Sequence, residues 1–132
     1  MTTRRPRVLL IEDSATVAAV VRYSLEREGF GVVLAADGAQ GLALARRERP
    51  DVVITDLELP GLGGLDLIDA LRAEPETAGV AVLLMSADPE DEGQRHGADV
   101  YLVKPVEPRR LAVHVRGLVE RRESGRAGAI AP

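Results

Sequence analysis

The sequence predicts a doubly wound α/β domain, a five-stranded parallel sheet with helices on both faces. Short runs rich in Val, Leu and Ile alternate five times with amphipathic segments, the pattern of strands buried on both faces and joined by covering helices. Each run is four to six residues long, the length of a strand and too short for a helix. The chain has 132 residues, 45% hydrophobic and 29% charged, which suffices for one core and not for two.

The elements follow in order. A first strand is read at 8–11; Ser14 then stands where an N-cap belongs, ahead of Val17, Val20, Val21 and Leu25 at helical spacing, and Gly29 ends that helix. A second strand at 31–35 leads through "ADG" into a helix with Leu42, Leu44 and Ala45 on its apolar side, closing before Pro50. The third strand is 51–55. A loop rich in Gly and Pro, "DLELPGLGG", separates it from a helix carrying Leu65, Leu67, Ile68 and Leu71. "VAVLLM", 80–85, is the fourth strand and 99–103 the fifth. A last helix places Leu111, Val115, Leu118 and Val119 on one side. The expected strand order is the flavodoxin-like 2-1-3-4-5, with its crevice at the carboxyl ends of the strands. Residues 1–122 make the domain, and 123–132, which lose the apolar periodicity, are expected as a flexible tail.

Composition narrows the function. With no cysteine, neither disulfides nor thiolate metal sites contribute, which suits a reducing compartment. The opening "MTTRRPRVLLIEDS" has basic residues, but Glu12 and Asp13 interrupt its apolar run, so no secretory signal is read. No apolar run is long enough to cross a bilayer. A cytoplasmic protein with no membrane partner is expected. A net charge of −4 and only three aromatics, Tyr23, Phe30 and Tyr101, argue against direct nucleic-acid binding.

The strand ends carry the chemistry. Strand one ends in Glu12 and Asp13, strand three in Asp56, strand four in Ser86 and strand five in Lys104. Strand two, placed at the sheet edge, ends in "AAD" without comparable chemistry. Three carboxylates at one point repel unless a cation intervenes. Oxygen-only ligands suit Mg²⁺ better than Zn²⁺ or Ca²⁺. Lys104, the single lysine beside sixteen arginines, would bring a compact second charge into the pocket, where the planar fork of Arg could not enter in the same way.

At these residues the chain resembles a response-regulator receiver domain of two-component signalling, of the chemotaxis type that stands as a single domain. The resemblance covers roughly 7–120. It rests on the acidic pair in "LLIEDS", the Asp in "VVITDLELPGLGGLDLI", the hydroxyl in "LLMSA", and "GADVYLVKP", in that order. It implies a phosphoprotein in which Asp56 takes a phosphoryl group from a histidine kinase or histidine phosphotransfer protein. Glu12, Asp13, Asp56 and the backbone carbonyl of Glu58 would hold Mg²⁺, and Ser86 and Lys104 would bind phosphoryl oxygens. Ser86 and Tyr101 would form the switch that controls a downstream protein, and Glu58 and Asp88 would modulate phosphate lifetime. Such a domain is not a turnover enzyme, since it catalyses only its own phosphorylation and dephosphorylation. The resemblance also suggests a cis Lys104–Pro105 bond.

Two departures from the family stand out. The interval between Ser86 and Lys104 is about one helical turn short, which predicts a short or irregular fourth helix before "GADVY". Gly63 stands where the family often has Asp, which predicts a looser loop, and "GLGGLD" reads as loop flexibility. His96 and His114 have no partners spaced for metal binding. Monomer and homodimer both remain open. The competing functions are a phosphorylation-independent pseudo-receiver that only binds a partner, and an aspartate-nucleophile phosphatase. The order of acidic residues and the lack of room for a substrate cap weigh against the phosphatase.

Overall fold

The computed structural model describes residues 5–89 and 97–130, the last six of these as backbone only. The strands are β1 (Arg7–Ile11), β2 (Gly31–Ala35), β3 (Val52–Asp56), β4 (Ala81–Ser86) and β5 (Val100–Val103). The helices are α1 (Ala15–Arg27), α2 (Gly38–Glu48), α3 (Gly64–Ala73) and α4 (Pro108–Ile130). All neighbouring strands pair parallel, in the order 2-1-3-4-5. The flavodoxin-like arrangement expected from the alternation is therefore the one observed.

Period-two alternation divides the core between the two faces of the sheet. Val8 and Leu10 of β1 join Val21 and Leu25 of α1 and Leu111 and Val115 of α4 in one cluster. Their neighbours Leu9 and Ile11 point the other way, to Ala45 of α2 and Leu67, Ile68 and Leu71 of α3. A central strand buried on both sides has no polar face, and Val52, Val53 and Ile54 of β3 are each fully buried.

Local signals set the ends. Ser14 caps α1, its Oγ accepting from Val17 N at 3.3 Å. Asp37 caps α2, which closes at Arg49 in the left-handed region (φ 46°) just before Pro50. β3 and β4 each lie one residue later than the apolar runs predict, so that Asp56 and Ser86 are the last residues of their strands. Asp51 stays outside β3, where its Oδ2 accepts from Arg7 N at 2.8 Å.

The fourth-helix expectation falls on residues 90–96, outside the described residues. The helical backbone of α4 continues past Arg122 to Ile130, through residues expected as a tail. Elongating an existing helix gains one hydrogen bond per residue fixed, and no proline intervenes before Pro132. Glu123 and Ser124 are exposed, so this extension rests on no burial at those positions.

Candidate functional site

The strand register brings the polar ends together. Ile11 pairs with Thr55, which sets Glu12 beside Asp56, and Asp56 pairs with Met85, next to Ser86. Ser86 in turn pairs with Val103, and Ser86 O accepts from Lys104 N at 2.7 Å. Four separate segments thus deliver Glu12, Asp13, Asp56, Ser86 and Lys104 to the carboxyl edge of the sheet. Among the described residues, Glu12, Asp13 and Asp56 form the one acidic cluster whose ligand atoms all lie within 4.8 Å of one another.

Burial makes this crowding costly. Glu12 and Asp56 are 6% and 5% exposed, while Asp13 is exposed. Lys104 Nζ lies 2.7 Å from Asp56 Oδ1 and 3.9 Å from Glu12 Oε2. With both carboxyls ionised, Glu12 Oε2 and Asp56 Oδ1 are buried without a well-aligned donor, and the short Lys104–Asp56 contact is an ion pair. Glu12 Oε1, by contrast, accepts from Ser14 N at 3.1 Å. One ammonium therefore faces two buried carboxylates. Anionic oxygens oriented at one point and lacking donors are the arrangement a hard divalent cation completes.

The charge balance appears in the titration of Glu12, raised from 4.5 to about 7. Burial is the largest cause, followed by the hydrogen bond shared with Asp56; Ser14 N and Lys104 pull the other way, and the charge of Asp56 adds to the rise. Burial works against the Lys104 ammonium, but contact with Asp56 and the charges of Asp56, Glu12 and Asp13 outweigh it and hold the group above its ordinary value.

The sign for stability follows from Glu12. Its folded value lies above the unfolded one, so the metal-free fold binds more protons than the unfolded chain between pH 4.5 and about 7. Stability should decline as pH rises through that window and level off above it. Urea midpoints of metal-free protein across the window test this, and a midpoint that rises toward pH 7 would contradict it.

Around the pocket, Asp88 N donates to Ser86 Oγ at 3.1 Å, and Tyr101 OH donates to Asp88 O at 3.0 Å. The Tyr101 ring is turned inward, 8% exposed. Glu58 and Asp88 carry exposed side chains. The Lys104–Pro105 bond is cis.

Gly64 plays a part that the sequence reading missed. A Cβ there would lie 2.4 Å from Asp56 O and 2.9 Å from Leu57 Cα, so only glycine lets the first turn of α3 close against the end of β3. Gly64 N donates to Leu57 O at 2.9 Å across that contact. "GLGGLD" is thus a point of close approach as well as a turn: Gly61 takes φ 72°, and Gly63, the N-cap of α3, supplies no side-chain acceptor. The available signal was a glycine at the start of a helix that follows a polar strand end.

No helix among the described residues is long and apolar enough to cross a membrane. Comparison with known proteins accords with this geometry. DNA-binding response regulator MtrA of Mycobacterium bovis is 36% identical over 127 residues, 93% of this chain and 54% of the relative. Transcriptional regulatory protein PrrA of the same organism is 39% identical over 121 residues, 90% of this chain and 52% of the relative. The chain spans about half the length of these curated relatives. Among solved structures, the chemotaxis response regulator CheY4 of Vibrio cholerae superposes with a TM-score of 0.81 at 30% identity, covering 87% of this chain and 99% of that one. A response regulator from Chloroflexus aurantiacus gives 0.83 at 30% identity, covering 89% and 99%. A family model described as the response regulator receiver domain matches residues 8–116, and the chain belongs to that family.

Proposed function

We propose that the chain is a phosphoacceptor whose Asp56 takes a phosphoryl group from a histidine kinase or histidine phosphotransfer protein, using Mg²⁺, and thereby changes its affinity for a downstream protein. The observation that carries this reading is the pair of buried, donor-lacking oxygens on Glu12 and Asp56 beside the Lys104 ammonium. A structural ion pair does not need a second carboxylate in the same pocket, whereas a cation and phosphate site does.

Glu12, Asp13 and Asp56, with the backbone carbonyl of Glu58, would hold the ion. When bound, Mg²⁺ supplies neutralisation of charge on the transferring phosphoryl oxygens. In the transfer, an Asp56 carboxylate oxygen forms the new P–O bond as the donor's P–N bond breaks; the electron pair leaves on the imidazole nitrogen, which takes a proton from solvent. Lys104 then binds a phosphoryl oxygen as a point charge. Ser86 Oγ accepts from Asp88 N, and a hydroxyl that accepts can still donate, here to another phosphoryl oxygen. Tyr101, tied to Asp88 O, links that hydroxyl to the β5 surface, where the population shift is read by a partner. Glu58 and Asp88, at the mouth of the pocket, tune phosphate lifetime.

The setting proposed is cytoplasmic. The printed name of MtrA describes a DNA-binding protein; the segment in hand, with a net charge of −4, is proposed as its regulatory counterpart and not as a nucleic-acid surface.

Incubating the protein with Mg²⁺ and beryllofluoride tests the reading. A stoichiometric adduct that requires Mg²⁺ is expected; no adduct would favour a pseudo-receiver. Binding of the ion needs Glu12 ionised, so Mg²⁺ affinity should fall by up to about tenfold per pH unit below pH 7, as metal and proton compete. Calorimetric titrations on either side of pH 7 check it, and a pH-independent affinity would contradict it.

Lys104→Arg keeps the charge and changes its shape. Beryllofluoride affinity should fall by roughly 10- to 100-fold, the worth of one charge-assisted hydrogen bond. Equal affinity for the two proteins would remove the role assigned to a compact ammonium.

A further inference from the structure

β2 alone among the five strands brings no side chain to the pocket from its end, yet the chain that follows it touches the loop the pocket depends on. The turn after β2 is closed on itself: Asp37 Oδ1 accepts from Gln40 N at 2.8 Å, and Gln40 Oε1 accepts from Ala36 N at 2.8 Å. This fixes the first turn of α2, where Gly38 is buried. A Cβ on Gly38 would lie 2.1 Å from Leu62 O and 3.0 Å from Leu62 Cβ. The contact is with backbone, which cannot swing aside as the end of a side chain can.

Leu62 belongs to the loop 57–63, whose start is pinned by Leu57 N donating to Met85 O at 2.7 Å and by the approach of Gly64 to Asp56 O. The loop is held at its base by Gly64 and near its far end by Gly38. Between those points lies Glu58, whose carbonyl is a proposed metal ligand. Resting on the Mg²⁺ reading above, we infer that Gly38 is a positioning residue for the site. The side-chain-free first turn of α2 is the backstop against which the loop 57–63 seats, holding the Glu58 carbonyl and the end of β3 in register with Glu12 and Asp13.

An added methyl would force Leu62 O back by about 1 Å, a displacement of the size that degrades a preorganised site. The same change favours helix formation, since Ala loses less backbone freedom than Gly on entering a helix, so a weaker helix would not be the cause of any loss.

The test compares wild type, Gly38→Ala and Ala39→Gly, the last weakening α2 at an exposed neighbour. Three quantities are measured: Mg²⁺ affinity by calorimetry above pH 7, thermal midpoint, and amide exchange of residues 57–63 without metal. Gly38→Ala should bind Mg²⁺ about tenfold more weakly, with faster exchange in the loop and protected exchange in β1 and β3. Ala39→Gly should lower the midpoint and leave Mg²⁺ affinity within about twofold. Unchanged affinity in Gly38→Ala, or an equal loss in Ala39→Gly, would overturn the inference. If Gly38→Ala does not fold, Gln40→Ala loosens the same turn without added bulk; it should weaken Mg²⁺ by about threefold and speed loop exchange, and wild-type values for both would overturn the proposal equally. A wild type that ignores Mg²⁺ would instead fault the reading of the pocket.

Discussion

Asp56→Asn is expected to abolish the beryllofluoride adduct and phosphoryl uptake from acetyl phosphate, because the amide is neither a nucleophile nor an anionic metal ligand. The substitution should also move a group it does not replace. Asp56 raises Glu12 both by hydrogen bonding to its protonated form and by its charge, so the neutral amide should let Glu12 fall from about 7 toward its ordinary 4.5. Lys104→Ala, which removes the ammonium facing Glu12, should push it further up. Titrating the Glu12 carboxyl by NMR in the two variants gives shifts of opposite sign if all three groups share one field. Shifts of the same sign would mean that they do not.

Arg72→Ala is expected to produce a large loss of stability although the residue is polar and lies outside the pocket. Arg72 sits in the last turn of α3, 27% exposed, and its fork donates to Ala78 O at 2.8 Å, Val80 O at 2.5 Å and Gly97 O at 2.8 Å, with Asp99 Oδ2 at 3.2 Å. Asp99 Oδ2 also accepts from Val82 N at 2.7 Å, so one guanidinium joins α3 to the entries of β4 and β5. Losing donors to partly buried carbonyls should cost about 2–4 kcal/mol, less if water replaces them at the exposed Gly97. Urea unfolding with an unchanged m value would show it. Arg72→Lys, with a point donor in place of a fork, should recover less than half; full recovery would mean that charge alone matters.

Arg72 also bears on why the chain spends its cations so unevenly. Arg5, Arg7, Arg116 and Arg122 likewise work at the amino edge of the sheet or the end of α1, reaching Phe30 O at 3.0 Å, Glu48 Oε1 at 2.6 Å, Glu28 O at 2.7 Å and Asp51 O at 2.7 Å respectively. Several of these positions serve more than one acceptor, which suits a fork. The single lysine stands at the opposite edge, where the acceptors are two carboxylates across a narrow pocket.

The strands were legible because each is a short apolar run, and the acidic pair, Asp56, Ser86 and Lys104 because each is a polar residue placed directly after such a run. The one-residue displacement of β3 and β4 was not legible. Asp51 and Asp56 bracket the same apolar run, and only the tertiary bond from Arg7 N to Asp51 shows which lies outside. Gly38 and Gly64 read as turn residues for a similar reason: the atoms they make room for belong to Leu62, Asp56 and Leu57. Gly38 and Leu62 are brought together by the fold, and no local pattern records an approach between different elements. The switch role of Tyr101 comes through the resemblance alone, since strand packing accounts equally for a buried aromatic at that place.

The central claim is that Asp56 becomes an aspartyl phosphate in a Mg²⁺-dependent reaction. Treating the protein with acetyl phosphate, with and without Mg²⁺, then trapping and mapping the modification by mass spectrometry tests it directly. The account predicts one phosphoryl group, labile to base and to hydroxylamine as an acyl phosphate is, on the peptide containing Asp56, formed only when Mg²⁺ is present. Phosphate on another residue, or equal incorporation without the metal, would contradict it.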